Sequence, residues 1–387
     1  MQAANDITIP VIEKRVSRIA VSSFFFLAGL CFSSWASRIP DIQLKLHLNN
    51  AALGAVLLSL PVGLLTSLPI AGWLVAKFGS RLIAICASLL YAFTLPLLGF
   101  AQSTVQLMSC LFVFGMGGNM LNISMNTQAV GTETVYGRSI MASYHGLWSL
   151  AGFSGAAIGT LLIKIGLAPW QHFFIITTIA ILIVISFYRY LLTNDSNKNA
   201  QRPIFAKPDR SLINLGLIAF CCMICEGAMF DWSGVYFQKV VQPGKGLVTM
   251  GFTAFMSTMA TGRFVGDWVA TRLGKKITLQ LSGIFTAAGL LIAVGLPFFA
   301  TAVLGFLLVG AGVSSVVPLV YSSAGKSKIL SPGVAIAAVS TIGYLGFLFG
   351  PPFIGFIAQA TSLRLSLGLV ALLGSIIAVI AAKNKFE

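Results

Sequence analysis

Two acidic residues lie inside a long apolar stretch of this 387-residue sequence. Glu226 and Asp231 belong to "CEGAMFDWSG" (225–234), within an apolar region that runs from Leu212 to Phe237. An ionised acid at the centre of a bilayer costs about 2.5 to 3.5 kcal/mol, so each needs a partner, water or a proton. Burial favours the neutral form, which suits a reversible proton carrier. We predict proton coupling at Glu226 first and Asp231 second; the alternative is that either one bonds a neighbouring helix.

The depth of these acids follows from helix geometry. If the helix begins near Leu212, Glu226 lies about 21 Å along it, somewhat beyond the middle of a bilayer. On a regular helix about 140° separates Glu226 from Asp231. We therefore expect that the two side chains cannot both face one cavity.

Three asparagines form a second polar feature, in "GMGGNMLNISMN" (115–126). Asn119, Asn122 and Asn126 have the spacing i, i+3, i+7, which places three amides on one helical face. A polar stripe inside a membrane rarely faces lipid. Amides donate and accept hydrogen bonds at once, which suits hydroxyl-rich solutes. We therefore expect the stripe to face the interior of the protein; hydrogen bonding between helices is one explanation for it.

Aromatic and imidazole side chains extend this candidate site. His145 and Trp148 lie one turn apart and could meet the same ligand. Trp35 and Trp232 could stack on a sugar ring, although interfacial anchoring explains them equally well. A helix–helix hydrogen bond is the alternative for His145. Four residues are weaker cavity candidates: Ser314, Ser315, Tyr321 and Tyr344.

The sequence lacks the residue sets of an enzyme or a metalloprotein. It has three histidines, and no nucleophile elbow, zinc-binding histidine pair or phosphate loop. Its six cysteines all fall in predicted spans, where they are most simply small apolar packing residues. Rings of charge or filter sequences, as in channels, are also missing. We therefore expect no catalysis, no metal and no cofactor.

The composition indicates an integral membrane protein. The chain is 57% hydrophobic and only 9% charged. A helix needs about 20 apolar residues to cross a bilayer, and about twelve runs of that length recur. We predict an all-α protein with spans at 17–38, 51–76, 81–101, 106–130, 139–164, 171–192, 212–237, 248–271, 277–297, 301–324, 334–359 and 363–382.

The positive charge follows the membrane sidedness rule. The net charge is +15, and most of the 25 lysines and arginines lie in segments on one predicted side. Such segments face the cytoplasm, so we predict that both termini are cytoplasmic and that nucleic acid is not a partner. The other side carries Arg38, Lys45, Lys164, Lys239, Lys245 and Arg364, and Arg263 alone lies well inside a span.

The chain divides into two similar halves. The polar segment 193–210 predicts a cytoplasmic linker between six-helix bundles at 1–192 and 211–387. "WLVAKFGSR" (73–81) matches "WVATRLGKK" (268–276) at an offset of 195, and "SSWAS" matches "FDWSG" at 197. Duplicated bundles joined in this way are typical of transporters that rock around a central substrate site.

The loop in the first half resembles a signature of the major facilitator superfamily. "GWLVAKFGSR" (72–81) keeps the glycines, leucine and basic residues of that motif, but Ala76 replaces its acid. The resemblance implies a gating role for Lys77, Arg81 and their counterpart Arg272. Asp267 lies one turn after Arg263, so this charge pair could gate the second half. A purely structural pair is the alternative.

Several motifs are similar to one group in that superfamily, the group around MosC and YbjJ, distant relatives of the fucose permease. They are "SSWASRIPDI" (33–42), "ISMNTQAV" (123–130), "SYHGLWSLAG" (143–152) and "EGAMFDWS" (226–233). The resemblance implies a secondary transporter, in the bacterial inner membrane, for sugars, polyols or an inositol-like compound. It also implies that the first, fourth, seventh and tenth spans line the cavity, which would put Asn119, Asn122 and Asn126 in contact with substrate; hydrogen bonding between helices is the alternative for this stripe.

One departure from the relatives affects the mechanism. The fucose permease and many members of the MosC group carry an acid in the fourth span, where this chain has Asn122, so the expected proton coupling shifts toward Glu226 and Asp231. We expect a monomeric, proton-coupled carrier whose partners are a small solute, protons and the lipid bilayer. An exporter of drugs or metabolites, working as a proton antiporter, and a uniporter remain the alternatives.

Overall fold

The structure, a computed structural model, describes residues 11–137, 140–193, 210–244, 246–327 and 330–384. Each predicted span coincides with one helix or with a pair of consecutive helices. The first bundle contains α1 Val11–Lys45, α2 Asn50–Leu57, α3 Ser59–Phe78, α4 Ser80–Phe100, α5 Thr104–Tyr136, α6 Met141–Lys164 and α7 Pro169–Phe187. The second bundle contains α8 Arg210–Tyr236, α9 Met250–Leu273, α10 Lys275–Gly295, α11 Phe299–Val313, α12 Val316–Ala324, α13 Pro332–Ala360 and α14 Leu363–Lys383. Except at its two ends, the predicted linker 193–210 lies outside the described residues.

Eleven helical segments of the described chain are long and apolar enough to cross a membrane. The helix α9 is as long as several of them, but Arg263 and Asp267 interrupt its apolar run. Its polarity follows from its position beside the central cavity described below. With α9 included, the twelve predicted spans are all present as helices.

Helices are the expected form for these runs, because lipid offers no partner for backbone amides and carbonyls. Polar caps end several of them. The side chains of Asn49, Ser103 and Ser362 accept hydrogen bonds from the first turns of α2, α5 and α14. Elsewhere glycines separate consecutive helices, as between α3 and α4.

The junctions α3–α4 and α9–α10 confirm the internal repeat. Gly79 has φ 83° and ψ 150°, and Gly274 has φ 81° and ψ 153°. A side chain at this backbone conformation is strained, so both copies of the loop need glycine. Two residues before each junction glycine, a basic side chain lies over a tryptophan: Lys77 over Trp73 at 4.8 Å, and Arg272 over Trp268 at 5.7 Å. The two bundles are therefore pseudo-symmetric.

Small residues let corresponding helices pack closely inside each bundle. In the first bundle, Gly155 and Gly159 of α6 pack on Ser33 and Ser37 of α1, leaving no room for a Cβ. In the second bundle, Gly346 of α13 lies against the backbone of α8 at Phe220. Gly155, Gly159 and Gly346 thus let helices approach closely inside each bundle.

The two bundles meet at the end of the molecule away from α7–α8, which we call the far end; the opposite end is the linker end. Asn50 forms one contact, since its backbone N donates to Gln359 Oε1 at 3.1 Å and its Oδ1 accepts from Lys239 Nζ at 2.7 Å. The second contact joins Thr160 Oγ1 to the hydroxyls of Thr249 at 2.7 Å and Thr253 at 3.0 Å. Neutral groups therefore supply most of the far-end contact.

Gly274→Ala tests the backbone requirement at the repeated loop. Nothing lies within 4 Å of a Cβ added at either Gly274 or Gly72, but only Gly274 has positive φ. We expect Gly274→Ala to lower the free energy of unfolding by about 1 to 3 kcal/mol. Gly72→Ala, inside α3, should be neutral or slightly stabilising. Thermal unfolding in one detergent measures both, and equal effects would contradict the backbone explanation.

Candidate functional site

A cavity of about 670 Å³ lies between the two bundles. This volume is within the range of about 300 to 1,000 Å³ typical of ligand pockets. Its walls include side chains from α1, α5 and α6 of the first bundle and from α8, α9, α12 and α13 of the second. The lining residues Ala142, His145 and Asp267 are exposed near the linker end, whereas the far end is closed. The cavity therefore opens toward the linker end.

The predicted proton-coupling acid Glu226 lines this cavity and is paired. Arg263 Nη2 lies 3.3 Å from Glu226 Oε1, and the two side chains are 17% and 6% exposed. Glu226 was predicted either to carry a proton or to bond a neighbouring helix. Its position fits both alternatives, because the bond to Arg263 of α9 forms inside the central cavity. A carboxyl there can pair with the guanidinium and still exchange a proton with the cavity.

The predicted charge pair between Arg263 and Asp267 is not formed. The structure pairs Arg263 with Glu226, while Asp267 lines the cavity closer to the linker end and is exposed. An exposed carboxylate attracts a guanidinium weakly because water screens it, whereas a buried carboxylate attracts it strongly. Burial therefore decided which acid Arg263 binds.

Arg263 also contacts the opposite bundle. Its guanidinium carbon lies 5.6 Å from the ring centroid of Trp148 on α6, within the range of a cation–π contact. Trp148 itself belongs to an aromatic cluster with Phe32 at 6.0 Å and Phe230 at 6.5 Å between ring centroids. The cation–π contact thus places a charged group of α9 against an aromatic group of α6.

Asp231 lines the same cavity, so the expectation that both acids cannot face it was wrong. The lining face of α8 runs through Met223, Gly227 and Phe230, and the two acids lie at its edges. The cavity is wide enough to receive side chains across an arc of about 140°. Asp231 makes no hydrogen bond or ion pair with another described residue, so its carboxyl is free to meet a solute or a proton.

The asparagine stripe divides into two roles. Asn119 and Asn122 line the cavity, but Asn119 also donates to Ser67 Oγ of α3 at 2.8 Å. Asn126 is not among the lining residues; its Nδ2 donates to Asn122 Oδ1 at 2.9 Å. Asn122 is therefore the amide best placed for a solute, and Asn126 orients it.

Of the remaining predicted binding residues, two line the cavity and two do not. His145 and Trp148 both line the cavity. Trp35 and Trp232 are not among the lining residues, and they are only 1% and 0% exposed. Trp232 lies on the same face of α8 as Cys225, whose thiol contacts α14. Trp35 lies toward the closed far end of α1. This placement corrects the prediction that the two indoles stack on a solute.

The weaker candidates Ser314, Ser315, Tyr321 and Tyr344 all line the cavity. Sequence reasoning missed Phe32 and Phe230, whose rings meet edge to face across the bundles at 5.0 Å. The internal repeat could have indicated them, since each precedes one of the matched tryptophans by two or three residues. That signal was ambiguous because a phenylalanine in a span packs against lipid equally well.

Three of the basic residues predicted to gate lie away from the cavity, whereas Arg263 lines it. Lys77 and Arg272 lie over tryptophans of their own helices, and Arg81 is in the first turn of α4. None of the three lines the cavity as the structure describes it. Their role in gating stays a prediction.

Comparisons with known proteins agree with this architecture. Residues 21–328 match the family model of the Major Facilitator Superfamily. The chain is 34% identical over 365 residues to an uncharacterised transporter of this type from Yersinia pestis, covering 94% of both chains. It is 30% identical over 369 residues to the membrane protein MosC of Rhizobium meliloti, covering 94% of this chain and 89% of that one.

Solved structures show the same fold. A bacterial homologue of the lysosomal transporter Spinster, in an inward-facing unoccupied conformation, superposes with a TM-score of 0.75 at 15% identity, and 97% of each chain is covered. The fucose:proton symporter of E. coli gives 0.61 at 18% identity, covering 96% of this chain and 98% of that one. The chain therefore belongs to the major facilitator superfamily: it is a multi-pass membrane transporter and not an enzyme.

Proposed function

We propose that the protein is a secondary active transporter that moves a small polar solute by alternating access, coupled to protons through Glu226. The solute is a sugar, a polyol or an inositol-like compound. The observation that carries the proposal is the Glu226–Arg263 pair facing a cavity that the two bundles enclose. Related proteins support it, since a fucose:proton symporter has the same fold.

The pair gives the acid two states that differ in charge. Ionised Glu226 is compensated by Arg263, whereas protonated Glu226 is neutral and leaves the guanidinium without its carboxylate partner. Protonation therefore releases the guanidinium to other partners in the cavity. The exchange of these states is what a proton-coupled cycle requires.

The charges of the cavity favour a neutral or cationic solute. Arg263 is the only lysine or arginine among the described lining residues, and Glu226 already pairs with it. Asp231 and Asp267 leave an excess of acid. An anion would meet repulsion there, whereas hydroxyl groups would find hydrogen-bond partners at Asn122 and His145.

We further propose that the protein is a monomer in the bacterial inner membrane, with the linker end in the cytoplasm. The distribution of lysine and arginine supports this orientation, because described basic residues such as Lys77, Arg272 and Lys276 lie at the linker end. In this orientation the structure is open to the cytoplasm.

Counterflow in proteoliposomes tests the solute class. We expect uptake of labelled solute from a panel of aldohexoses, polyols and cyclitols, with and without an amino group, and none of dicarboxylates. If one proton enters with each solute, a gradient of one pH unit, acidic outside, supplies about 1.4 kcal/mol. It should therefore raise the ratio of internal to external solute about tenfold. Equilibration without accumulation, whatever the gradient, would indicate a uniporter, and expulsion driven by the gradient would indicate an antiporter.

Glu226→Gln tests the coupling site. The amide keeps the shape of the side chain but cannot ionise, so we expect gradient-driven accumulation to fall to equilibration while counterflow persists. Asp231→Asn is the matched control from the same cavity, and it should keep accumulation within about twofold of wild type. If Asp231→Asn abolished accumulation and Glu226→Gln did not, coupling would belong to Asp231.

Asn122→Ala tests the division within the asparagine stripe. Loss of one hydrogen bond to the solute should raise the half-saturating concentration by about 2- to 10-fold. Asn126→Ala should have a smaller effect, because Asn126 acts only through Asn122. Thr127→Val, whose hydroxyl bonds within α5, is the control and should be unchanged. An Asn126→Ala defect larger than that of Asn122→Ala would contradict this division.

A further inference from the structure

The guanidinium of Arg263 is shared between the two bundles. Its partner Glu226 lies on α8 of the same bundle, and the ring beneath it, Trp148, lies on α6 of the other. The helices α6 and α9 also pack along their length, with Gly146 against Phe264 and Gly152 against Met256. Arg263 thus lies on the seam along which the bundles move.

We propose that Trp148 is a positioning residue that senses, through Arg263, whether Glu226 carries a proton, and transmits that state to the bundle interface. The inference rests on the proposed coupling at Glu226. It deepens that proposal by giving Trp148, which sequence reasoning placed only in solute binding, a role in the conformational equilibrium.

The argument depends on which contacts change when the bundles rock. The Glu226–Arg263 contact lies within one bundle and can persist in every conformation. The Arg263–Trp148 contact crosses the interface, so it is formed only when α6 and α9 are as close as they are in this structure. Any change in its strength therefore changes the populations of the conformations.

Protonation of Glu226 changes that strength. Ionised Glu226 partly cancels the positive charge with which Arg263 attracts the Trp148 ring. Protonated Glu226 is neutral and leaves that charge uncompensated. The cation–π contact then strengthens, and the conformation open at the linker end is favoured. Contacts of this kind change an equilibrium constant by about 2- to 30-fold, depending on how dry they are. By linkage, closure at the far end also favours proton uptake.

The charged and titratable groups around the pair come from several helices. Tyr321 on α12, Tyr344 on α13 and Cys222 on α8 lie within electrostatic range of Glu226, and His145 on α6 lies within range of Arg263. Asp231 and Asp267 face the same cavity. Of the other helices packed on α8, namely α1, α11 and α14, the described part contributes no charged side chain to the cavity. Arg263 is therefore the cation that responds to the state of Glu226.

A packing role is the competing explanation, since Trp148 also contacts Phe32 and Phe230. Phe32 provides a matched control. Its ring belongs to the same cluster and lines the same cavity, but Arg263 does not lie over it. If Trp148 acts only by packing, Trp148→Leu and Phe32→Leu should alter the conformational equilibrium in the same way.

The test measures the distance between the two bundles at the far end as a function of pH, and it needs no solute. A nitroxide pair at Leu44 and Gln242, which are exposed at the far end of opposite bundles, reports its separation by pulsed electron resonance in nanodiscs. Cys86, the exposed native cysteine, is replaced by alanine. In the wild type, the ratio of the short to the long separation should rise about 2- to 30-fold from mildly alkaline to acidic pH.

In Trp148→Leu this rise should disappear, in Trp148→Phe it should be reduced, and in Phe32→Leu it should remain. A wild-type rise in Trp148→Leu, an equal loss in Phe32→Leu, or no rise in the wild type would overturn the inference. Glu226→Gln separates the two proposals. It should hold the ratio at the acidic wild-type value, and a full pH response in this variant would reject Glu226 as the proton site, whatever Trp148 does.

Discussion

The cost of charge in an apolar region is the constraint on which this structure depends. Arg263 lies well inside a membrane-spanning helix, and Glu226 is the buried acid that compensates it. Breaking such a buried pair by removing one partner costs several kcal/mol, because the other charge is left alone. The pair therefore requires α8 and α9 to be adjacent. The same pair places Arg263, the only lysine or arginine among the described lining residues, beside the titratable acid Glu226.

The far-end contact has the opposite character. Threonine hydroxyls, an asparagine and a glutamine join the bundles there, and Lys239 contributes a charged donor. Hydrogen bonds between neutral groups exchange for bonds to water at a net cost of about 0.5 to 1.5 kcal/mol each. Such a contact can open and close, whereas the buried ion pair stays within one bundle. Strong interactions inside the bundles and weak ones between them are what a rocking mechanism needs.

The duplicated sequence produces matched structure but not matched function. Gly79 and Gly274 have nearly the same backbone conformation, and each follows a cation over a tryptophan. The lining residues differ, since α5 presents amides while α8 presents acids. In the proposed function, proton chemistry and solute recognition are thus divided between the bundles, and the contact between Arg263 and Trp148 joins the two bundles.

The sequence by itself determined the number of spans, the repeat and the family, because these depend on apolar run length and on glycines whose backbone conformation no other residue tolerates. It also identified Glu226, Asp231, Asn122, His145 and Trp148 as cavity residues, since polar groups in a span must avoid lipid. Only the tertiary structure decided that Arg263 binds Glu226 and not Asp267, because burial depends on neighbouring helices. It also decided that Trp35 and Trp232 are covered while both acids of α8 reach one cavity. Periodicity gives the direction of a side chain around its helix, but what lies in that direction depends on how the bundles pack.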